Sequence, residues 1–216
     1  MPPIKKLFVS CDGAAFYART KFPFSMPNLE ALSICSREQV VNTPMVNSKF
    51  LHLKVLNIII GGHAYDLLSL VSFFDSSPSL ETFTLNVNHC LYCKDTVTKW
   101  NYHLDLRTVP EHHHDKLKHV EIINFSSAKS LIEFTCHILL STRSLERLTL
   151  DTTLGFSRCS ASESGECLPM RKDALAEAHR TLLVVQTYIK PNVFPTVELK
   201  ALGPYRRRHV KLSLYY

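Results

Sequence analysis

Residues 115–152, DKLKHVEIINFSSAKSLIEFTCHILLSTRSLERLTLDT, read as strand, helix, strand, and the chain holds the same unit a second time at 51–87. Aligned, Leu53 falls on Leu117, Ile58-Ile59 on Ile122-Ile123, Ala64 on Ala128 and Leu67 on Leu131. After a slip of one residue, Leu80-Glu81 falls on Leu145-Glu146 and Thr84-Leu85 on Thr149-Leu150. An apolar skeleton that persists while the polar residues drift marks one packing unit used again.

Working outward, six segments share an apolar residue followed by others three and five positions on. They begin at Ile4, Leu29, Leu53, Leu80, Leu117 and Leu145, spaced 25, 24, 27, 37 and 28 residues apart. This is the L-x-x-L-x-L pattern of a leucine-rich repeat, whose short strand sends alternate residues into the core. The expected fold is an α/β leucine-rich-repeat solenoid: a curved parallel sheet with helices and loops on the convex side, closed by a C-terminal helical cap. The long gap places an insertion loop at 88–114. Domain organisation follows: irregular repeats over 1–152, a Ser/Gly/Cys-rich loop over 153–170, and a cap over 171–216 with a helix at 173–190 and two short strands, 197–202 and 209–214.

Between strands, 64–74 and 128–140 carry apolar residues at helical spacing. In the second, Leu131, Phe134, Ile138 and Leu139 form the buried stripe, Lys129 and Glu133 are expected to face water, and Ser126-Ser127 to supply the N-cap. The linkers 11–25 and 36–49 read as irregular. Asp173 is placed as the cap of the last helix and Pro191 as its stop, with Leu175, Ala178, Leu182, Val185 and Ile189 on one face. The Asn or Cys that often follows the third apolar position by three residues is present only as Asn88, so irregular turns are expected.

Composition bounds the function. With 216 residues, 45% hydrophobic and 20% charged, the chain can bury one sizeable core. No apolar run approaches the ~18 residues of a membrane span. Seven scattered cysteines suit reduced thiols rather than a disulfide scaffold, so a cytoplasmic or nuclear location is expected. The net charge of +6 is dispersed, with one cluster at Arg206-Arg207-Arg208, and lacks the basic stripe of a nucleic-acid binder.

The long runs FDSSPSLETFTLNV (74–87), PEHHHDKLKHVEIINFSSAKSLIEFTCHIL (110–139), SLERLTLDTT (144–153) and RKDALAEAHRTLLVVQTYIKP (171–191) resemble plant F-box proteins of the grass type, in their C-terminal leucine-rich-repeat region with its FBD-like ending. The resemblance implies a substrate-recognition module of an SCF-type ubiquitin ligase, tied indirectly to a cullin through an F-box. With a first repeat at Ile4, an F-box is not expected within these residues, as in a fragment of a longer product or a chain that binds without recruiting a ligase. A truncated stand-alone scaffold or decoy is the alternative. The C-terminal Tyr205-Arg206-Arg207-Arg208-His209 departs from the Cys-containing family ending.

Two chemical readings compete with binding. Cys90-Leu-Tyr-Cys93 with His103, His112 and His114 could suit zinc, but the H-x3–5-H spacing is missing. Nucleophile elbow, P-loop and dinucleotide motifs are absent, and Cys136 beside His137 reads as an apolar filler. No catalytic residue, cofactor or metal is therefore assigned. A protein target of unknown identity is the expected partner, met on the concave strand face by Lys6, Phe8, Ser33, Asn57, Thr82, Thr84, Asn86, His119, Glu121, Arg147, Thr149 and Asp151. Ile59 and Ile123 share that parity. They are expected to tuck under the helices, with an apolar contact patch as the alternative.

Overall fold

The structure, a computed structural model, describes residues 4–36, 48–61, 66–88, 106–107, 113–153 and 172–204. Among these residues seven strands run parallel in one sheet in chain order: β1 Lys6–Ser10, β2 Ala31–Ser36, β3 Val55–Gly61, β4 Thr82–Asn88, β5 His119–Ile123, β6 Arg147–Asp151 and β7 Glu198–Leu202. Every strand repeats the register of the one before, so Leu32, Leu56, Phe83, Val120 and Leu148 line up as one row. Ile34, Ile58, Leu85, Ile122 and Leu150 form the next. Both rows are almost fully buried, as are the leading Leu29, Leu53, Leu80, Leu117 and Leu145. Each such side chain contributes about 1.5–3 kcal/mol on burial, which is why the repeat spacing fixes the fold.

A second periodic device runs along the strand entrances. The residue before each of the first six strands alternates Lys5, Glu30, Lys54, Glu81, Lys118, Glu146. Their backbones are bonded in sequence, from Glu30 N donating to the Lys5 carbonyl through to Glu146 N donating to that of Lys118. Ion pairs join Lys5 to Glu30 at 2.9 Å, Lys54 to Glu81 at 3.6 Å and Lys118 to Glu146 at 3.0 Å. Hydrogen bonds from Lys5 and Lys118 hold the Glu30 and Glu146 carboxyls below the usual carboxylate range.

The linkers pack on the buried side, and several differ from the sequence reading. Residues 14–25 form a helix, α1 (Ala14–Ser25), where an irregular linker was expected. Its buried face is Ala14, Ala15, Ala18, Arg19 and Pro23, while Phe16, Tyr17 and Phe24 point outward. Small residues inside and large ones outside erase the usual apolar stripe. Arg19 replaces it with bonds: Nε donates to the Ser72 carbonyl and Nη1 to that of Ser48, each at 3.0 Å. Burial lowers the Arg19 pKa, against the raising influence of Asp75.

The expected helix at 64–74 is a 3-10 turn, Leu67–Leu70, leading into the short α2, Val71–Ser76. Helix α3, Lys129–Ser141, is buried on nearly all sides. Ser126 and Ser127 do not cap it, because its N-cap is Ala128 with no side-chain bond. Ser127 instead gives its N–H (2.9 Å) and its hydroxyl (2.7 Å) to Glu177 Oε1. That carboxylate belongs to α4, Lys172–Val184, which continues through a widened turn, Val185–Ile189, and a final 3-10 turn, Lys190–Asn192. Asp173 lies within the first turn of α4 and Pro191 inside its closing turn, a shift of about one residue from the expected limits. Strand β7, within the expected strand at 197–202, pairs parallel with β6, so the sheet extends into the C-terminal segment. Most of the 88–114 insertion, most of linker 36–49, the loop 154–171 and the second tail strand at 209–214 lie outside the described residues.

Candidate functional site

The alternation that buries one set of strand residues presents the other on an open face in three rows. The first runs Lys6, Ala31, Val55, Thr82, His119, Arg147, Glu198, and the second Phe8, Ser33, Asn57, Thr84, Glu121, Thr149, Lys200. The third is Ser10, Cys35, Ile59, Asn86, Ile123, Asp151, Leu202. Eleven of the twelve residues expected on this face are half-buried or exposed there. Neighbouring rungs are tied by side chains: Asn57 Nδ2 donates to Ser33 Oγ at 3.2 Å. Asn124, held at φ 60, donates to Asn86 Oδ1 at 3.0 Å. Asn tolerates that left-handed backbone better than bulkier residues do.

The twelfth, Asp151, is a correction. It keeps the outward parity yet is 0% exposed, because its Oδ1 accepts from Thr153 N at 3.0 Å and from the Thr153 hydroxyl. The chain folds over the end of β6, so parity alone misplaces it.

Ile59 and Ile123 also depart from expectation. Both stand in the open third row, on either side of Asn86, while Ile58, Ile60 and Ile122 take the buried positions. They do not tuck under helices; the outward parity they share with Asn57 and Glu121 is the signal that finds them. Ala31, Val55, Cys35, Glu198 and Lys200 were missed on the same face, although strict period-2 reading of each strand reaches them.

Charge is distributed unevenly across this surface. Arg147 Nε lies 2.7 Å from Glu198 Oε2 and Lys200 Nζ 2.9 Å from Glu198 Oε1, and these bonds, that of Lys200 first, lower the Glu198 pKa. The outward residues of β2, β3 and β4 carry no charge.

Of the candidate residues for chemistry, His114 and Cys136 fall among the described residues, and Glu133 beside them departs from its expected place. Glu133, expected in water, is 1% exposed in its side chain. It accepts from Arg107 N at 3.0 Å, Nε at 2.9 Å and Nη2 at 2.7 Å, while Asp66 takes the other side of the same guanidinium. Hydrogen bonds from Glu133 and then Asp66 raise the Arg107 pKa further. Part of the insertion is thereby clamped to α3. His114 turns inward, with Nε2 3.8 Å from Asp75 Oδ1 and its ring 5.6 Å from that of Phe74. Phe74 stacks in turn on Phe134, centroids 5.8 Å apart, and meets Phe83 edge-on at 4.9 Å. Among the described residues no group of three or more His, Cys, Asp or Glu could hold a metal ion. Cys90, Cys93, His103 and His112 lie outside them, as do Arg206–Arg208. Cys136 is buried at 7% exposure, and burial pushes its thiol up to about 11. No described helix is long and apolar enough to cross a membrane.

A single parallel sheet of about 25-residue strand–linker units with one buried and one open face defines a leucine-rich-repeat domain, a class of protein-interaction module that is typically non-catalytic. The family model described as At1g61320/AtMIF1, LRR domain, matches residues 2–205, and the chain belongs to that plant family. Searches of curated proteins and of solved structures give no match.

Proposed function

We propose that this chain recognises a protein target on its open sheet face and serves as the substrate-binding part of an F-box-type ubiquitin-ligase receptor. The observation that carries the recognition step is the surface itself: rows of hydroxyls, amides and small apolar groups in fixed register on a sheet whose other face is fully used by the core. Such a face presents a rigid, preorganised pattern, which reduces the ordering cost of binding. The ligase role is supported by the long runs over 74–87, 110–139, 144–153 and 171–191 that resemble grass-type F-box proteins. Its proposed setting is the cytosol or nucleus.

The test is affinity purification of tagged chain from plant cells, beside a Thr84→Arg variant that places a bulky cation mid-face. The expected result is co-purification of the ligase adaptor and cullin with a set of target proteins. The variant should lose the targets while keeping the ligase. Targets without adaptor or cullin would leave a stand-alone scaffold. Targets retained by Thr84→Arg would remove the open face from consideration.

A further inference from the structure

The open face is uniform in geometry but not in electrostatics, and that difference describes its occupant. On β6 and β7 the outward cations are already paired: Arg147 and Lys200 both engage Glu198. On β2 to β4 there is no outward charge. Between these zones stands Glu121, half-buried in the second row with Thr84 on one side and Thr149 on the other. It has no ion pair among the described residues. The nearest outward cation, Arg147, is diagonal to it and directs its Nε to Glu198. Lys6 lies four strands away, about 19 Å at the ordinary strand spacing, beyond a Debye length of about 8–10 Å.

A half-desolvated carboxylate flanked by hydroxyls attracts a cation and disfavours a phosphate. Two strands away, Ile59 offers the apolar contact, with Cys35 and Asn86 as its row neighbours. From Glu121 to Ile59 is two strand spacings across and one row along, about 10–12 Å.

We infer that the open face takes an extended protein segment bearing one Lys or Arg four residues from an uncharged apolar residue, the cation seated on Glu121 and the apolar side chain on Ile59. An extended chain covers about 3.3–3.6 Å per residue and alternates its side chains, so a spacing of four spans about 13 Å with both on one face; a helix would need about seven residues to span the distance. The inference rests on reading this face as the recognition surface and adds the chemistry of what it recognises.

The test selects binders from a displayed library of random short peptides on the immobilised full chain, then measures binding of the selected peptides by fluorescence anisotropy. The expected peptides carry Lys or Arg four positions from Ile, Leu, Val, Met or Phe. Glu121→Gln, isosteric and on an outward position, should weaken them about tenfold, the scale of one charge-assisted bond. Glu121→Lys should abolish them and shift the selection toward acidic peptides, and Ile59→Thr should remove the apolar preference. Thermal unfolding of each variant establishes that it folds. Peptides that lose binding with Thr84→Arg but show no cation, or a spacing of seven, overturn this inference and leave the recognition surface standing. Peptides indifferent to every open-face substitution, or no peptides at all, overturn both.

Discussion

Cys136 shows how a single residue reads out its surroundings. Packed at 7% exposure with its thiol near 11, it stays protonated and inert in the folded chain at neutral pH. Cys11, by contrast, is exposed. Iodoacetamide at neutral pH should therefore modify Cys11 readily and Cys136 only after denaturant is added, as peptide mapping would show. The pH sign follows from linkage. Above the thiol's ordinary value of 9.0 the unfolded chain gives up this proton first. The contribution of this group is thus constant below pH 9 and falls as pH rises toward 11, so unfolding midpoints should drop there and drop less in Cys136→Ala. At this scale the sequence is a partial guide. Alternation placed Phe8, Asn57 and Glu121 outward, because parity is local. It could not foresee that Thr153 folds back over Asp151, nor that Arg107 arrives from 26 residues upstream to bury Glu133.

Among elements, α3 and the insertion depend on one carboxylate. Glu133 holds Arg107 through its backbone N–H and the Nε/Nη2 edge of the guanidinium, and lies 3.7 Å from Lys129. Removing one member of a buried pair strands the other, at a cost of about 3–5 kcal/mol when both are desolvated. Arg107 is half-exposed and keeps Asp66, so Glu133→Ala should cost less, about 1–3 kcal/mol. Urea unfolding would measure it; an unchanged midpoint would mean that the clamp contributes nothing. The elements hardest to read were those whose packing uses unusual residues. Helix α1 hides because alanines and a hydrogen-bonded Arg19 form its inner face and Pro23 stands in its last turn. Strand β7 read as a tail strand without the repeat pattern because Thr196 and Ala201 occupy places where β6 has Leu145 and Leu150. Strands β2 to β6, with full leucine triplets or their Ile, Val and Phe equivalents, were legible almost to the residue.

Across the whole molecule, each unit touches mainly its neighbours, so stability is distributed along an axis. The first unit is the weakest supported. Leu7 and Val9 are only half-buried while their partners Leu32 and Ile34 are at 0%, and Ile4, Phe8, Phe16, Tyr17 and Phe24 are all exposed. Hydrogen exchange should find β1 amides opening well before those of β3 to β5, by at least about tenfold, since local openings span the range from near zero to the global stability. Uniform protection along the sheet would show a single cooperative block instead.

The alternating Lys and Glu before the first six strands have a consequence for how such a chain can change its length. Loss of any one internal repeat would set Lys beside Lys or Glu beside Glu, across a gap that now holds opposite charges. Loss of two adjacent repeats would restore the alternation. The ladder thus disfavours loss of a single repeat, weakly at these exposed positions, and is indifferent to loss of a pair.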